Sequence, residues 1–102
     1  MFAALTAQTM EVRFEGPHYY CEADEAGFFD LMYSLPEYVE VIGQGRELIL
    51  RLKEPVSYES SIQLLTMFHR WNIDKDVLIP LKTKENENNE LWKNEVKYVS
   101  TT

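Results

Sequence analysis

Two apolar-rich runs, residues 38–42 and 47–53, flank Gly43-Gln-Gly-Arg46, and this juxtaposition constrains the fold more than any other feature of the chain. Glycines between such runs mark a β-hairpin, because tight turns need backbone conformations that side chains oppose. Side chains alternate between faces along a strand, so the hydrophobic pattern then selects the register. An even-length loop sets Val41 opposite Leu48 and Val39 opposite Leu50, with Leu52 on the same face. A three-residue loop would pair Val41 with Ile49 and mix the faces, so the even loop is predicted. The resulting ribbon has one apolar face that other elements must cover.

The covering elements are legible on either side of the hairpin. Met10-Glu-Val-Arg-Phe14 alternates apolar and charged residues and predicts a half-buried strand with Met10, Val12 and Phe14 inward. Gly16-Pro17 breaks it, and residues 18–21 are extended and aromatic. Glu22, Asp24 and Glu25 then suit the first turn of a helix, where the macrodipole favours negative charge. Phe28, Leu31, Met32 and Leu35 form its apolar stripe, and Pro36 ends it by pushing the preceding residue out of the α region.

After the hairpin, Pro55 closes the strand, and Ser57 or Ser60 caps a second helix, with Ser60-Ser-Ile-Gln63 fitting a capping box. Leu64, Leu65, Met67, Phe68 and Trp71 cover one side of this helix; Gln63, Thr66 and Arg70 lie opposite, and Asn72 ends it. Val77-Leu-Ile-Pro-Leu81 predicts a short edge strand, since Pro80 cannot donate to a ladder. The order strand, helix, hairpin, helix, strand is the ferredoxin-like βαββαβ pattern, an α+β sandwich with two helices on one face of an antiparallel sheet. Residues 1–9 are expected to be disordered, residues 82–90 a polar loop, and residues 91–99 either an added C-terminal strand, the favoured reading, or a short helix using Trp92, Val96 and Val99. A chain of 102 residues with 45% apolar content forms one domain with a real core.

Charge is distributed unevenly. Residues 1–40 hold eight acids and one base, Arg13, and so carry the whole net charge of −7; the remainder is balanced. That balance argues against nucleic acid or an anionic membrane as partner, since both select basic faces. No run of about 20 apolar residues suits a membrane span. A single cysteine, Cys21, precludes an internal disulfide and fits a reducing, cytoplasmic compartment.

Chemistry-bearing constellations are sparse. His18-Tyr-Tyr-Cys21 has metal-like spacing but lacks the further ligands that zinc requires, so no metal or other cofactor is expected. A Cys21–His69 nucleophile is a possible pairing only if the fold brings the two together; a histidine satisfied within its helix is the plainer reading. Gly43-Gln-Gly45 lacks the spacing and following helix of a dinucleotide loop. The carboxylates near residue 24 sit in a solvated helix turn rather than an apolar pocket, which opposes acid–base catalysis. No enzymatic activity is expected. What remains is a concentration of Tyr19, Tyr20, Phe28, Phe29, Tyr33 and Tyr38 amid carboxylates, the composition of an interface with aromatic anchors and a charged rim.

The runs Asp24-Glu-Ala-Gly-Phe-Phe-Asp-Leu31, Gly43-Gln-Gly-Arg-Glu-Leu48 and Leu64-Leu-Thr-Met-Phe-His-Arg-Trp-Asn-Ile-Asp74 resemble small bacterial immunity proteins of contact-dependent inhibition and Rhs polymorphic toxin systems, over residues 18–81. The resemblance implies a non-enzymatic protein that binds and neutralises a cognate toxin, such as a nuclease with a basic domain. An acidic inhibitor would be steered to such a domain and compete with its phosphate substrate, or equally block it from an exosite away from the active site. The expected contact residues are Glu22, Asp24, Glu25 and Asp30 for electrostatics and Tyr19 and Tyr20 as anchors. Glu85, Glu87 and Glu90 form a second candidate patch. The competing reading is a homo-oligomeric, small-molecule-binding regulatory module of ferredoxin-like fold.

Overall fold

The computed structural model of the chain describes residues 8–92. Strand β1 (Thr9–Glu15) leads to helix α1 (Glu22–Tyr33), the hairpin strands β2 (Tyr38–Gln44) and β3 (Glu47–Lys53), and helix α2 (Tyr58–Arg70). Two 3₁₀ segments, Lys75–Leu81 and Glu90–Trp92, complete the described chain. The three strands form one antiparallel sheet in the order β1-β3-β2. The strand after α1 therefore skips one position, leaving room for β3 to return between its neighbours.

The turn is tighter than predicted. Strand pairing runs to Gln44↔Glu47, so Gly45-Arg46 alone makes the connection and Val41 faces Leu50 rather than Leu48. Gly45 has φ +62°, and Arg46 does not share the left-handed conformation, the arrangement of a type II′ turn. The loop is even, as the pattern required, and the inward set Val41, Leu48, Leu50 and Leu52 is preserved. Val39 departs from it. A bulge between Tyr38 and Glu40 makes Val39 the extra residue, 39% exposed, so that Tyr38 and Val41 both face inward.

Val12, Phe14, Leu50 and Leu52 from the sheet meet Phe28, Met32 and Leu35 on one side and Leu64, Leu65, Met67 and Phe68 from α2 on the other. Phe14 is the hub: its ring lies 6.2 Å from Phe28 and 4.8 Å from Phe68. The opposite sheet face carries Arg51 between Glu11 and Glu40 at 2.8 and 2.6 Å, and Arg13 on Glu47 at 3.0 Å. Exposed pairs of this kind contribute at most about 1 kcal/mol each, so they set polarity and register more than stability. Ile49, between Arg13 and Ile42 in the cross-strand row, is buried on this face.

The predicted fourth strand at residues 77–81 is not a strand. Lys75–Leu81 winds as a 3₁₀ helix that buries Lys75, Leu78 and Leu81 and leaves Ile79 52% exposed. That three-residue spacing matches three residues per turn, not the two-residue alternation of a strand. The Asp74 side chain accepts from the Asp76 N–H and starts the segment. Of the two capping candidates the structure selects Ser57, and the Ser60–Gln63 capping box is the part that needs correction. Ser57 is the N-cap of α2, its hydroxyl accepting from the Ser60 N–H at 3.1 Å, while Gln63 donates to the Leu31 carbonyl and the Ser34 hydroxyl of the neighbouring helix end.

The Glu37 carboxylate takes the reinforcing role, accepting from the Ser57 N–H at 3.0 Å and the Ser60 hydroxyl at 2.5 Å. Desolvation pushes its pKa up, but the Ser60 and Ser57 hydrogen bonds outweigh it and hold the carboxyl below its ordinary value. β1 begins at Thr9, so that residue belongs to the sheet, and the Gln8 carbonyl just before it accepts from the Glu54 N–H. The predicted disorder of the first residues and most of the predicted C-terminal strand lie outside the described residues.

Candidate functional site on helix α1 and the cleft at its N terminus

Cys21 precedes α1 in extended conformation with no side-chain cap on the helix. Asp24 compensates: it accepts from the Tyr20 N–H at 3.0 Å and from the Trp71 indole at 3.2 Å. Those two bonds tie the approach to α1 to the end of α2. Asp24 is thus consumed structurally, half-buried, and stands apart from the other expected acids. Glu22, Glu25 and Asp30 are exposed, and none forms an ion pair with a described residue. Of the four other acids before residue 41, Glu11 and Glu40 are bound to Arg51, Glu37 holds the Ser57 N–H and the Ser60 hydroxyl at the start of α2, and Glu15 is exposed without an ion pair to a described residue. The excess negative charge that the sequence places in this segment is therefore expressed mainly along α1.

The two expected anchors part company. Tyr19 leans inward, its ring 5.8 Å from Phe28 and 6.4 Å from Phe29. Burial, then the Glu25 and Asp24 charges, push its phenol up to about 12 from 10.0. Tyr20 is 86% exposed and packs edge-on against His18 at 4.7 Å. Beyond Tyr19 an aromatic series continues along α1: Phe29 to Tyr33 at 6.2 Å, then Tyr33 to Tyr38 at 5.3 Å, with Tyr33 53% exposed. Tyr20 and Tyr33 are the exposed rings of this series.

A cleft of about 830 Å³ opens beside Tyr20 and Asp24. One wall is the end of β1 and the following residues, Arg13 to His18; the other is Arg70 to Asp74. Asn72 shapes the second wall. Its φ of +59° reverses the chain after α2, with its N–H on the His69 carbonyl and the Ile73 N–H on the Phe68 carbonyl, the two bonds of a Schellman motif. This turn aims Arg70 and Asp74 at residues nearly sixty positions earlier, a juxtaposition that sequence spacing does not reveal. The only local signal is Asn72 itself, a residue type that tolerates the left-handed region. The cleft carries both signs of charge, suited to gripping a polar segment by hydrogen bonds.

Cys21 is exposed, whereas the His69 Nδ1 lies 3.1 Å from the buried Lys75 ammonium. Burial and then the Lys75 charge lower the His69 pKa. Among the described residues, no three His, Cys, Asp or Glu side chains converge as metal ligands do. Glu85, Glu87 and Glu90 are exposed around Asn86, which is 1% exposed and fastens the loop to α2 through its bond to Ser61. No described helix is long and apolar enough to cross a membrane. No protein-family profile, curated protein or solved structure matches the chain.

Proposed function

We propose that this chain is a non-enzymatic inhibitor that binds and neutralises a cognate bacterial toxin, a nuclease with a basic domain, in the cytoplasm. One observation carries the reading: α1 exposes Glu22, Glu25 and Asp30, none of them ion-paired to a described residue, while Tyr20 and Tyr33 stand open on the same segment of chain. Carboxylates so placed steer a cationic domain during encounter, and exposed aromatic rings supply the apolar contact that holds it. The scaffold is read as a ferredoxin-like plan on the strand order β1-β3-β2 and the crossover through α1. Inhibition by occlusion needs no chemistry from the inhibitor.

Coexpression with the product of the adjacent gene, followed by binding measurements across a salt series, tests the proposal. The triple variant Glu22→Lys, Glu25→Lys, Asp30→Lys should slow association at least roughly tenfold at low salt. An adjacent product that is harmless alone, or one that does not bind this chain, refutes the reading. Association unchanged in the triple variant refutes the assignment of α1.

A further inference from the structure

The cleft beside Tyr20 holds an electrostatic conflict that the described chain leaves unresolved. Strand register sets Glu15 directly opposite Glu47, and both residues are exposed and line the cleft. Like charges directly opposed across a strand pair are unfavourable. Arg13 relieves only one of them, donating to Glu47 at 3.0 Å and to the Gln44 side-chain oxygen at 3.3 Å. Glu15 forms no ion pair with a described residue.

Two further carboxylates border the same space. Asp24 takes its bonds from the Tyr20 N–H and the Trp71 indole, neutral donors that leave its negative charge uncompensated. Asp74 is exposed on the opposite wall, where its side chain accepts from the Asp76 N–H. Against Glu15, Asp24 and Asp74 stands one guanidinium, that of Arg70, which lines the cleft without an ion pair to a described residue. Leaving His18 aside, the lining is therefore net acidic even with Arg13 and Glu47 cancelling. Rings complete it: Tyr20 is 86% exposed and Trp71 half-buried, and an aromatic face attracts a cation. The volume of about 830 Å³ lies within the range of ligand clefts and takes a long side chain together with flanking backbone.

Carboxylates on two walls suit a cation that donates in more than one direction. A guanidinium carries five N–H donors in a planar fork and stacks on rings, whereas an ammonium is a strongly hydrated point charge. We propose, on the same reading of a basic partner, that this cleft receives an arginine side chain of that partner, its guanidinium held by Glu15 and Asp74 against the Tyr20 and Trp71 rings. Binding discharges the repulsion between Glu15 and Glu47, so Glu15 costs the free chain stability and favours the complex. Arg70 opposes the incoming charge and sets the lower limit of the affinity.

A capped Gly-Arg-Gly tripeptide added to the full chain is the probe, read by NMR titration, with a citrulline tripeptide as the uncharged isostere. The arginine peptide should give saturable shifts at Gly16, Tyr20 and the Trp71 indole, and the citrulline peptide should bind at least about fivefold more weakly. Glu15→Gln should weaken the arginine peptide by a similar factor yet raise the urea midpoint of the free chain, a split that a merely structural residue would not give. Asp74→Asn, which keeps an acceptor for the Asp76 N–H, should also weaken binding, and Arg70→Gln should tighten it. No saturable shift, equal binding of the citrulline peptide, or undiminished binding by Glu15→Gln would overturn the proposal. The probe contains no toxin, so the two readings fail separately. Tripeptide binding by a chain whose adjacent gene product is harmless supports the arginine site and removes the toxin partner. A toxin held undiminished by Glu15→Gln removes the cleft from that interface and leaves α1.

Discussion

Replacing Asn86 by alanine removes a fully buried side chain whose three bonds close the loop after the 3₁₀ segment. Its Oδ1 accepts from the Thr83 N–H at 2.7 Å, and its Nδ2 donates to the Ser61 hydroxyl and the Leu81 carbonyl, each at 3.0 Å. Ser61 already donates its own hydrogen to the Tyr58 carbonyl, so its oxygen accepts from Asn86 and has no donor role to spare. At about 1 kcal/mol net per bond, Asn86→Ala should cost about 3 kcal/mol, a large share of the stability of a domain this size. Equilibrium unfolding in urea measures it, as a lower midpoint with little change in slope. Asn86→Asp sharpens the test without changing shape. Its second oxygen would replace the Nδ2 donor and meet the Leu81 carbonyl, so the loss at neutral pH should exceed that of alanine. An acid buried this way holds its proton above its unfolded pKa, so part of the loss should be recovered as pH falls through the folded value. An alanine cost under about 0.5 kcal/mol, or an aspartate variant insensitive to pH, would refute the assignment of Asn86 as the anchor of this loop.

Glu37→Gln should destabilise by about 1.5 kcal/mol at neutral pH, because a charged acceptor of two hydrogen bonds becomes a neutral one. The native carboxyl titrates below its ordinary value, so its contribution is complete above that value and is lost as pH falls through the folded one. Urea midpoints measured through the acid range should therefore show a shallower decline in the variant. Asn72→Ala should cost about 1 kcal/mol, since alanine pays for the left-handed backbone, whereas Asn72→Gly should cost nothing; thermal melts of the pair decide it. Tyr19 should be the last tyrosine to ionise, with a transition near pH 12 by ultraviolet difference titration. Below pH 10 it is protonated in both states, and stability should decline between about 10 and 12, where only the unfolded chain releases the proton.

The hairpin was readable because period-two patterning and a glycine turn agree. The apolar set of β3 leaves one choice of face, and the structure keeps it. The same patterning could not distinguish a four-residue from a two-residue loop, since both preserve parity, and it could not foresee a bulge at Val39, which exists to let Tyr38 and Val41 share a face. Residues 77–81 misled because Val, Leu and Ile favour strands, and the true three-residue period begins at Lys75, a charged residue that pattern reading does not count as buried. At the site, the exposure of Glu22, Glu25 and Asp30 followed from their places on a first turn and an outer face. The separate fate of Asp24 depended on the Trp71 indole, 47 residues away in sequence, and no local rule carries that distance.

Glu37 also has a consequence for how this protein can vary. Its backbone carbonyl accepts from the Lys53 N–H at 2.8 Å while its carboxylate holds the Ser57 N–H and the Ser60 hydroxyl. The Glu54 N–H is meanwhile fixed on the Gln8 carbonyl. The connection from β3 to α2 is thus clamped at both ends by one residue from before the hairpin, and its length is not free. An inserted residue there would have to break the clamp on one side or the other. Gly45 and Arg46, exposed at the far end of the same hairpin, face no such double hold. Natural variation in length, and any engineered tag or label, should accumulate at the turn and avoid the residues between Lys53 and Ser57.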